Sequence, residues 1–425
     1  MSYNILLIAH EFSPLQGSEC AQGWNIATRL SKYHKIFVLY ATGSQFSPNS
    51  YLKSINNISD NYPNIVFINV NQTNFGLLLS TVNKFLFGKI SPIGNPIIYY
   101  FIYNLWQKKA YKKSKIIIKN NKIDLIHLIT SISYREPGYF WKIDLPFIWG
   151  PTGGLTSLPD SFIKGLPFKK KLIEIIRKVY INYEFNKVRI KKAINKSELI
   201  YTFSDYDRQK FIQSGAKNVT NLLDSGTTYF NLPIINHNNK IVVLWAGQLV
   251  DRKSFNILIE SVVKLPNIYL NKFEFRILGE GILKNFYIKE IDKMNLKNLF
   301  FFEGQKNRND LFEIMKTSDL FVHTSYREAT TNIIPEALSF NLPVVCHDIS
   351  GMSIAINESC GHKIPLINSD ISSNILSQFF IKIVDDKNYL LQLKNGAKKR
   401  SSEISWDNNA LQISSDYDKI LSLKI

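Results

Sequence analysis

Two glutamates, Glu328 and Glu336, stand eight positions apart in the 319–351 stretch DLFVHTSYREATTNIIPEALSFNLPVVCHDISG. One falls in a polar loop and the other in the first turn of a predicted helix, so both carboxylates can face one crevice and accept hydrogen bonds from ligand hydroxyls. The helix start favours the opposite kind of group. Asn332 is a good N-cap, Pro335 lies in the first turn where a missing N–H costs nothing, and the exposed N–H groups of Ile333 and Ile334 attract an anion. Earlier in the chain, Arg252 and Lys253 sit at a loop-to-helix transition after the apolar run 241–246, two cations suited to a diphosphate. Carboxylates beside anion-seeking groups suit a ligand that carries phosphates and hydroxyls together, as a nucleotide-sugar does. The plainer readings are ordinary first-turn acids on a surface helix and a solvated basic turn.

The elements that must position these residues follow a regular plan. Residues 320–322 and 342–346 are short apolar runs that read as buried parallel strands on either side of the glutamate helix. The chain opens with a strand at 4–9, a loop HEFSPLQGSE and a helix at about 20–32, with Gly17 and Ser18 just before it, where a small backbone can approach a phosphate or sugar. Further strands at 36–40, 65–70, 124–129 and 198–203 alternate with helical patterns, which predicts an α/β chain with parallel sheets. The sequence NLPIINHNNK at 231–240 reads as a linker. With 425 residues, 45% of them hydrophobic, the chain can bury two sizeable cores.

In REATTNIIPEALSFNLPVV the chain resembles the retaining glycosyltransferases of family 4, whose signature is two glutamates separated by seven residues. LWAGQLVDRKSFNILIESVVKL, FRILGEG and FEGQKNRNDLFEIMKTSDLFVHTS resemble the family's successive units in order and spacing, from Lys240 to Gly361. PLQGSECAQGWN resembles the family's N-terminal loop in a subgroup with Gly-Ser-Glu, and PFIWGPTGG a Gly-Pro-x-Gly-Gly loop that includes Gly153 and Gly154. The resemblance implies the α/β GT-B architecture, two doubly wound parallel-sheet domains facing each other across a cleft. It places an acceptor-side domain at 1–232, a nucleotide-sugar-binding domain at 233–405 and a closing helix at 406–425 that returns to the first domain. By the same resemblance, Arg252 and Lys253 stabilise charge on the departing diphosphate, Glu336 binds ribose hydroxyls and Glu328 lies beside the donor sugar. Backbone near Lys306 reads the base, Ile333 and Ile334 offer N–H groups to phosphate, and Gly17 and Ser18 lie near the donor. Two departures stand out. Ser254 replaces the family's usual glycine after the lysine, and Ile129 stands where many members carry their active-site histidine. His127, two positions earlier on the same strand face, is either a substitute on the acceptor side or a core residue. The implied activity is sugar transfer from a nucleotide-sugar donor to a hydroxyl of a glycan or lipid-linked acceptor in cell-surface polysaccharide synthesis. No cofactor or metal is called for. An epimerase or phosphorylase of the same architecture, or a non-catalytic basic scaffold, are the alternatives.

Charge is lopsided: residues 1–232 carry +16 and the remainder +2. Such a field could meet nucleic acid, an anionic membrane or an acidic substrate; no zinc-finger spacing or RNA-recognition signature is present, which disfavours nucleic acid. The run 168–197 reads as one long amphipathic helix with Leu172, Ile176, Val179, Tyr183 and Ile190 on its apolar side and ten Lys or Arg elsewhere; core packing is the leading reading, attachment to anionic lipid the other. Residues 75–87 and 96–106, next to Lys108, Lys109, Lys112, Lys113 and Lys115, divide evenly between a membrane interface and a helix packed on the sheet. Ser204 with Asp207 reads as a capping box rather than a metal-binding Asp-x-Asp. The start of the chain does not read as a signal peptide, the longest lipid-like run (97–103) is too short to span a bilayer, and Cys20, Cys346 and Cys360 are scattered. The expected location is cytoplasmic, peripheral on the inner face of the membrane.

Overall fold

The computed structural model describes residues 2–15, 19–42, 55, 58–88, 93–228, 230–234, 240–329 and 331–422. The chain divides into two compact α/β units, the first formed by Met1–Leu155, Tyr180–Ser225 and Trp406–Ile425, the second by Thr156–Val179 and Gly226–Ser405. The sequence put residues 156–179 with the first half. The structure groups them with the second, where Leu158, Phe162 and Ile163 pack with Leu366, Tyr326 and Ile349.

In the first unit seven strands, β1 (Asn4–Ala9), β2 (Lys35–Thr42), β3 (Ile65–Asn71), β4 (Leu125–Thr130), β5 (Phe147–Thr152), β6 (Leu199–Thr202) and β7 (Val219–Asn221), form a sheet in the order β3-β2-β1-β4-β5-β6-β7. Every pairing is parallel. Alternation along β1 sends Ile5, Leu7 and Ala9 into one core and Leu6 and Ile8 into the other, so the strand is apolar throughout because both faces are covered. The helix Trp406–Ser422 lays Trp406, Ala410, Ile413, Tyr417 and Leu421 into the first of these cores, a helical spacing that buries one stripe.

The second unit has six strands, β8 (Ile241–Ala246), β9 (Phe273–Leu278), β10 (Phe300–Gly304), β11 (Leu320–His323), β12 (Val344–His347) and β13 (Gly361–Ile364), in the order β10-β9-β8-β11-β12-β13, again all parallel. The strand order reverses between β8 and β11. In open parallel sheets that reversal opens a crevice outside the carboxyl ends of the two strands, where ligands bind.

Two helices turn much of their apolar surface outward, although Ile181 and Phe185 of the first are buried. The 168–197 run breaks into Phe168–Phe185 and Val188–Lys196, since Lys187 is extended, and the expected burial of its stripe is reversed. Leu172, Ile173, Ile176 and Val179 are 48–64% exposed, whereas Glu174 and Glu184 are 8% and 9% exposed. Only Ile190 of the predicted stripe's later residues is buried, on the second helix. In the helix Asn74–Phe87 the buried residues are Gly76 and Asn83, while Phe75, Leu78, Val82 and Phe85 face outward. Asn83 is held inward because its amide donates to the Ile93 carbonyl at 2.9 Å and accepts from the Asn95 N–H at 2.8 Å. Among the described residues no helix is long and apolar enough to cross a membrane. The three cysteines are buried.

Candidate active site

The carboxyl ends of β8 and β11 bring together residues 75 or more positions apart. Glu328 Oε1 accepts from Arg252 Nη1 at 3.0 Å, from Ser325 Oγ at 2.9 Å and from the Lys253 ammonium. Burial works to raise the Glu328 carboxyl, but the adjoining positive charge holds it below the usual carboxylate range. His323 Nε2 lies 3.8 Å away; burial pushes its imidazole down to about 3, so it is neutral and the cations that keep Glu328 ionised are Lys253 and Arg252. Burial also lowers the Lys253 ammonium, against the pull of Glu328.

Backbone stitching fixes this cluster. The Tyr326 N–H donates to the Arg252 carbonyl at 3.1 Å, and the Thr324 hydroxyl donates to the Lys253 carbonyl at 2.8 Å. Ser254, which stands where the resemblance expects glycine, adopts that left-handed conformation anyway (φ 45, ψ 46), a strain of about 1–2 kcal/mol for a residue with a side chain. The loop thus keeps its turn despite the departure. Gly279, in the turn after β9, has φ +131, and a Cβ there would stand 1.9 Å from the Gly247 carbonyl oxygen; only glycine lets this turn close on the loop after β8.

Glu336 is buried in the first turn of the helix Ile333–Ser339, and Arg308 Nη2 meets its Oε1 at 2.6 Å. Burial raises the Glu336 carboxyl, partly countered by Arg308. Arg308 was missed from sequence. Its signal is a cation at the start of the helix Arg308–Lys316, where the helix dipole disfavours positive charge. Lys306 lies nearby in the chain and pairs loosely with Glu303 at 3.7 Å. The helix start differs from expectation in two respects. Asn332 is itself helical and its side chain caps nothing, and the Ile334 N–H donates to the Thr331 carbonyl at 3.2 Å, so that amide is not free for a phosphate. Ile333 begins a helix of only seven residues, too short for a strong dipole.

In the first unit, His127 is a core residue. It is fully buried, with Nε2 2.7 Å from the Gly150 carbonyl and Nδ1 2.7 Å from the Tyr417 hydroxyl. Nε2 must donate and Nδ1 accept, which fixes a neutral tautomer, and burial pushes the imidazole down to about 4. Both nitrogens are therefore engaged, leaving none for a substrate. Gly153 and Gly154 are shaped by Asp207, whose carboxylate accepts from the Gly154 and Leu155 N–H groups at 3.2 and 2.9 Å; a Cβ on Gly153 would fall 2.3 Å from Asp207 Oδ2. The Ser204 hydroxyl caps the Asp207 N–H at 3.0 Å, but the reciprocal half of the box is absent because the Asp207 carboxylate serves the glycine loop. Asp205 instead accepts from Asn221 at 2.6 Å. Among the described residues no group of three or more His, Cys, Asp or Glu is placed to hold a metal ion. Gly17 and Ser18 lie outside the described residues. Of the residues that flank them in sequence, His10 and Glu11 were not singled out from the sequence, and Glu19 entered only as the last residue of the Gly-Ser-Glu loop. His10 Nδ1 is 2.8 Å from Glu11 Oε1. Glu19 is half-buried by area yet walled by protein; burial, then the charges of Glu11 and Asp224, push it up to about 8.

The histidines set an acid limit. His347 resembles His127: it lies 3.1 Å from the Ser325 carbonyl and from the Ser372 hydroxyl, and burial pushes it down to about 4. His127, His323 and His347 are all depressed from 6.5, so between pH 6.5 and about 4 the unfolded chain binds protons that the folded chain does not. Their contribution to stability is full above pH 6.5 and falls as pH drops toward the folded values, by up to about 1.4 kcal/mol per pH unit for each histidine, while the raised Glu19 and Asp207 carboxyls work in the opposite sense below about 8 and about 6. Three histidines outweigh two carboxyls below pH 6.5, so thermal unfolding followed from pH 6.5 to 5 is expected to show a falling Tm; a flat or rising profile would contradict the buried neutral assignments.

Residues 231–400 match the family model of the glycosyl transferases group 1. The uncharacterized glycosyltransferase MJ1059 of Methanocaldococcus jannaschii is 38% identical over 111 residues, covering 26% of either chain. The Escherichia coli UDP-Gal:alpha-D-GlcNAc-diphosphoundecaprenol alpha-1,3-galactosyltransferase is 34% identical over 165 residues, 38% of this chain and 41% of that protein. These matches span well under half of the relatives' length. Among solved structures, Anabaena Alr3699/HepE in complex with UDP aligns over 99% of this chain and 100% of its own, with a TM-score of 0.57 at 16% identity, a likeness of fold. The architecture is GT-B.

Proposed function

We propose that the protein is a retaining glycosyltransferase that moves a sugar from a nucleotide-sugar to a hydroxyl of a glycan or lipid-linked acceptor in cell-surface polysaccharide synthesis. The observation that carries this reading is the convergence of Arg252, Lys253 and Glu328 at the strand-order reversal of the second unit. A diphosphate entering there would take over the two cations, which would then stabilise the charge that grows as the glycosidic bond breaks. Glu328, released from them, would face the donor sugar. Glu336 would accept from ribose hydroxyls, backbone near Lys306 would read the base, and the Ile333 amide would approach phosphate. In the first unit, Gly153 and Gly154 would line the acceptor. No cofactor enters this scheme, because Arg252 and Lys253 supply the positive charge.

The +16 balance of residues 1–232 further supports work at the cytoplasmic face of a membrane without crossing it. Two proteins of similar fold or sequence are named for UDP or a UDP-sugar, so UDP-sugars lead the panel that tests the reading. A nucleotide-sugar panel followed by thermal shift should give one class of donor that raises Tm. Glu336→Ala should weaken that donor roughly ten- to a hundredfold, the worth of a hydrogen bond to a charged group. A panel in which no nucleotide-sugar shifts the wild type overturns the reading.

A further inference from the structure

We propose that the exposed face of the helix Phe168–Phe185 is a docking surface for anionic lipid; this rests on the reading that the enzyme works at a membrane. The helix buries Ile181 and Phe185 near its end, but over residues 172–179 it buries an acid and turns aliphatic side chains to water, the reverse of what folding alone selects. Here Glu174 and Glu184 are inside while Leu172, Ile173, Ile176 and Val179 are outside. The arrangement is not a loose strap that could roll over and cover its stripe. Lys170 Nζ meets Asp251 Oδ1 at 2.5 Å, Arg327 Nη2 lies 2.6 Å from Glu174 Oε1 and Ile181 and Phe185 are buried, so ion pairs and core contacts together hold the helix with the 172–179 apolar face outward. The chain preceding the helix is anchored as well, through Phe162 on Tyr326.

Charge decides the occupant. Between residues 168 and 197 the only acids are Glu174 and Glu184, both buried; Lys170 is matched by Asp251, but Lys169, Lys171 and the remaining bases of this run leave the field presented outward positive. A second copy of this chain would bring like charge against like. An anionic lipid surface complements it, with the apolar stripe entering the headgroup boundary and the lysines staying among the phosphates. Asp251 adjoins Arg252 and Arg327 adjoins Glu328, so the same ion pairs that orient the stripe place a lipid surface beside the two loops of the candidate active site.

Flotation of the full chain with vesicles containing phosphatidylglycerol, compared with pure phosphatidylcholine, tests the proposal. Wild-type protein should float with the anionic vesicles only, and less as salt rises. The triple variant Ile173→Ser, Ile176→Ser, Val179→Ser should bind at least tenfold more weakly with an unchanged Tm, because the replaced side chains already face water. Equal flotation of wild type and variant overturns the assignment to this helix while leaving the membrane reading standing. No flotation of the wild type overturns both, and concentration-dependent dimers that the triple variant abolishes would show that a second copy covers the stripe. Should the triple variant fail to fold, Ile176→Trp with bromine-labelled anionic lipid gives an independent answer: quenching supports insertion, and its absence refutes it.

Discussion

Replacing Lys253 with alanine is expected to slow glycosyl transfer by a hundredfold or more while leaving the protein folded. Lys253 is nearly buried, and its carbonyl and that of Arg252 are held by the Thr324 hydroxyl and the Tyr326 N–H, bonds that the substitution does not touch. Glu328 would keep Arg252 and Ser325 as partners, so no buried charge is stranded. What disappears is a preorganised cation aimed at a diphosphate that gains charge as it leaves. Losing one such group costs about 2–4 kcal/mol, felt in kcat more than in KM because the charge develops in the transition state. Wild-type turnover in Lys253→Ala would remove the lysine from the mechanism.

The largest effect on stability is expected at the opposite end of the same sheet. Asp319 and Lys394 form an ion pair at 2.6 Å, each side chain about 3% exposed. Asp319 Oδ2 also accepts from the Val242 N–H at 2.9 Å, and the Asp319 N–H donates to the Val242 carbonyl at 2.8 Å, so the pair clasps the starts of β8 and β11. Lys394→Met leaves a carboxylate buried without its cation, which costs about 3–5 kcal/mol. The double variant Asp319→Asn, Lys394→Met retains an acceptor for Val242 and removes the orphan charge; it should recover most of the loss, a coupling that a double-mutant cycle in urea measures. The pair lies at the amino ends of the strands and the reaction is assigned to the carboxyl ends, so kcat of any variant that stays folded should be unchanged. A loss below about 1 kcal/mol in the single variant would mean that water reaches Asp319.

The strands and the glutamate loop were legible because they depend on local pattern. Short apolar runs such as 241–246 have only one stable place in a two-faced parallel sheet, and Glu328, Glu336, Arg252 and Lys253 stand at fixed distances from those runs. Side-chain pairing was not legible. Arg308 and Glu336 are separated by a helix and a strand, and Ser325 gives no sign in sequence that its hydroxyl serves Glu328. The Phe168–Phe185 helix shows the sharper limit. Its period was visible, but a period does not say which face is inward: the helix buries Ile181 and Phe185 while Asp251 and Arg327 hold Lys170 and Glu174, which leaves Leu172, Ile176 and Val179 outside. Residues 156–179 were misplaced for a related reason: their anchor is a small cluster around Leu366 and Tyr326, far along the chain. His127 kept two readings in sequence, and only its partners Gly150 and Tyr417 distinguish them.

The most direct measurement is proton NMR of the protein incubated with nucleotide-sugars, led by UDP-sugars, recorded early enough to see the anomeric signal before the free sugar equilibrates. Release of nucleoside diphosphate with the sugar in the donor's own anomeric configuration, whether passed to an acceptor or to water, is the predicted result. A product of inverted configuration, or no donor cleaved across the panel, would contradict a retaining glycosyltransferase built on Arg252, Lys253 and Glu328.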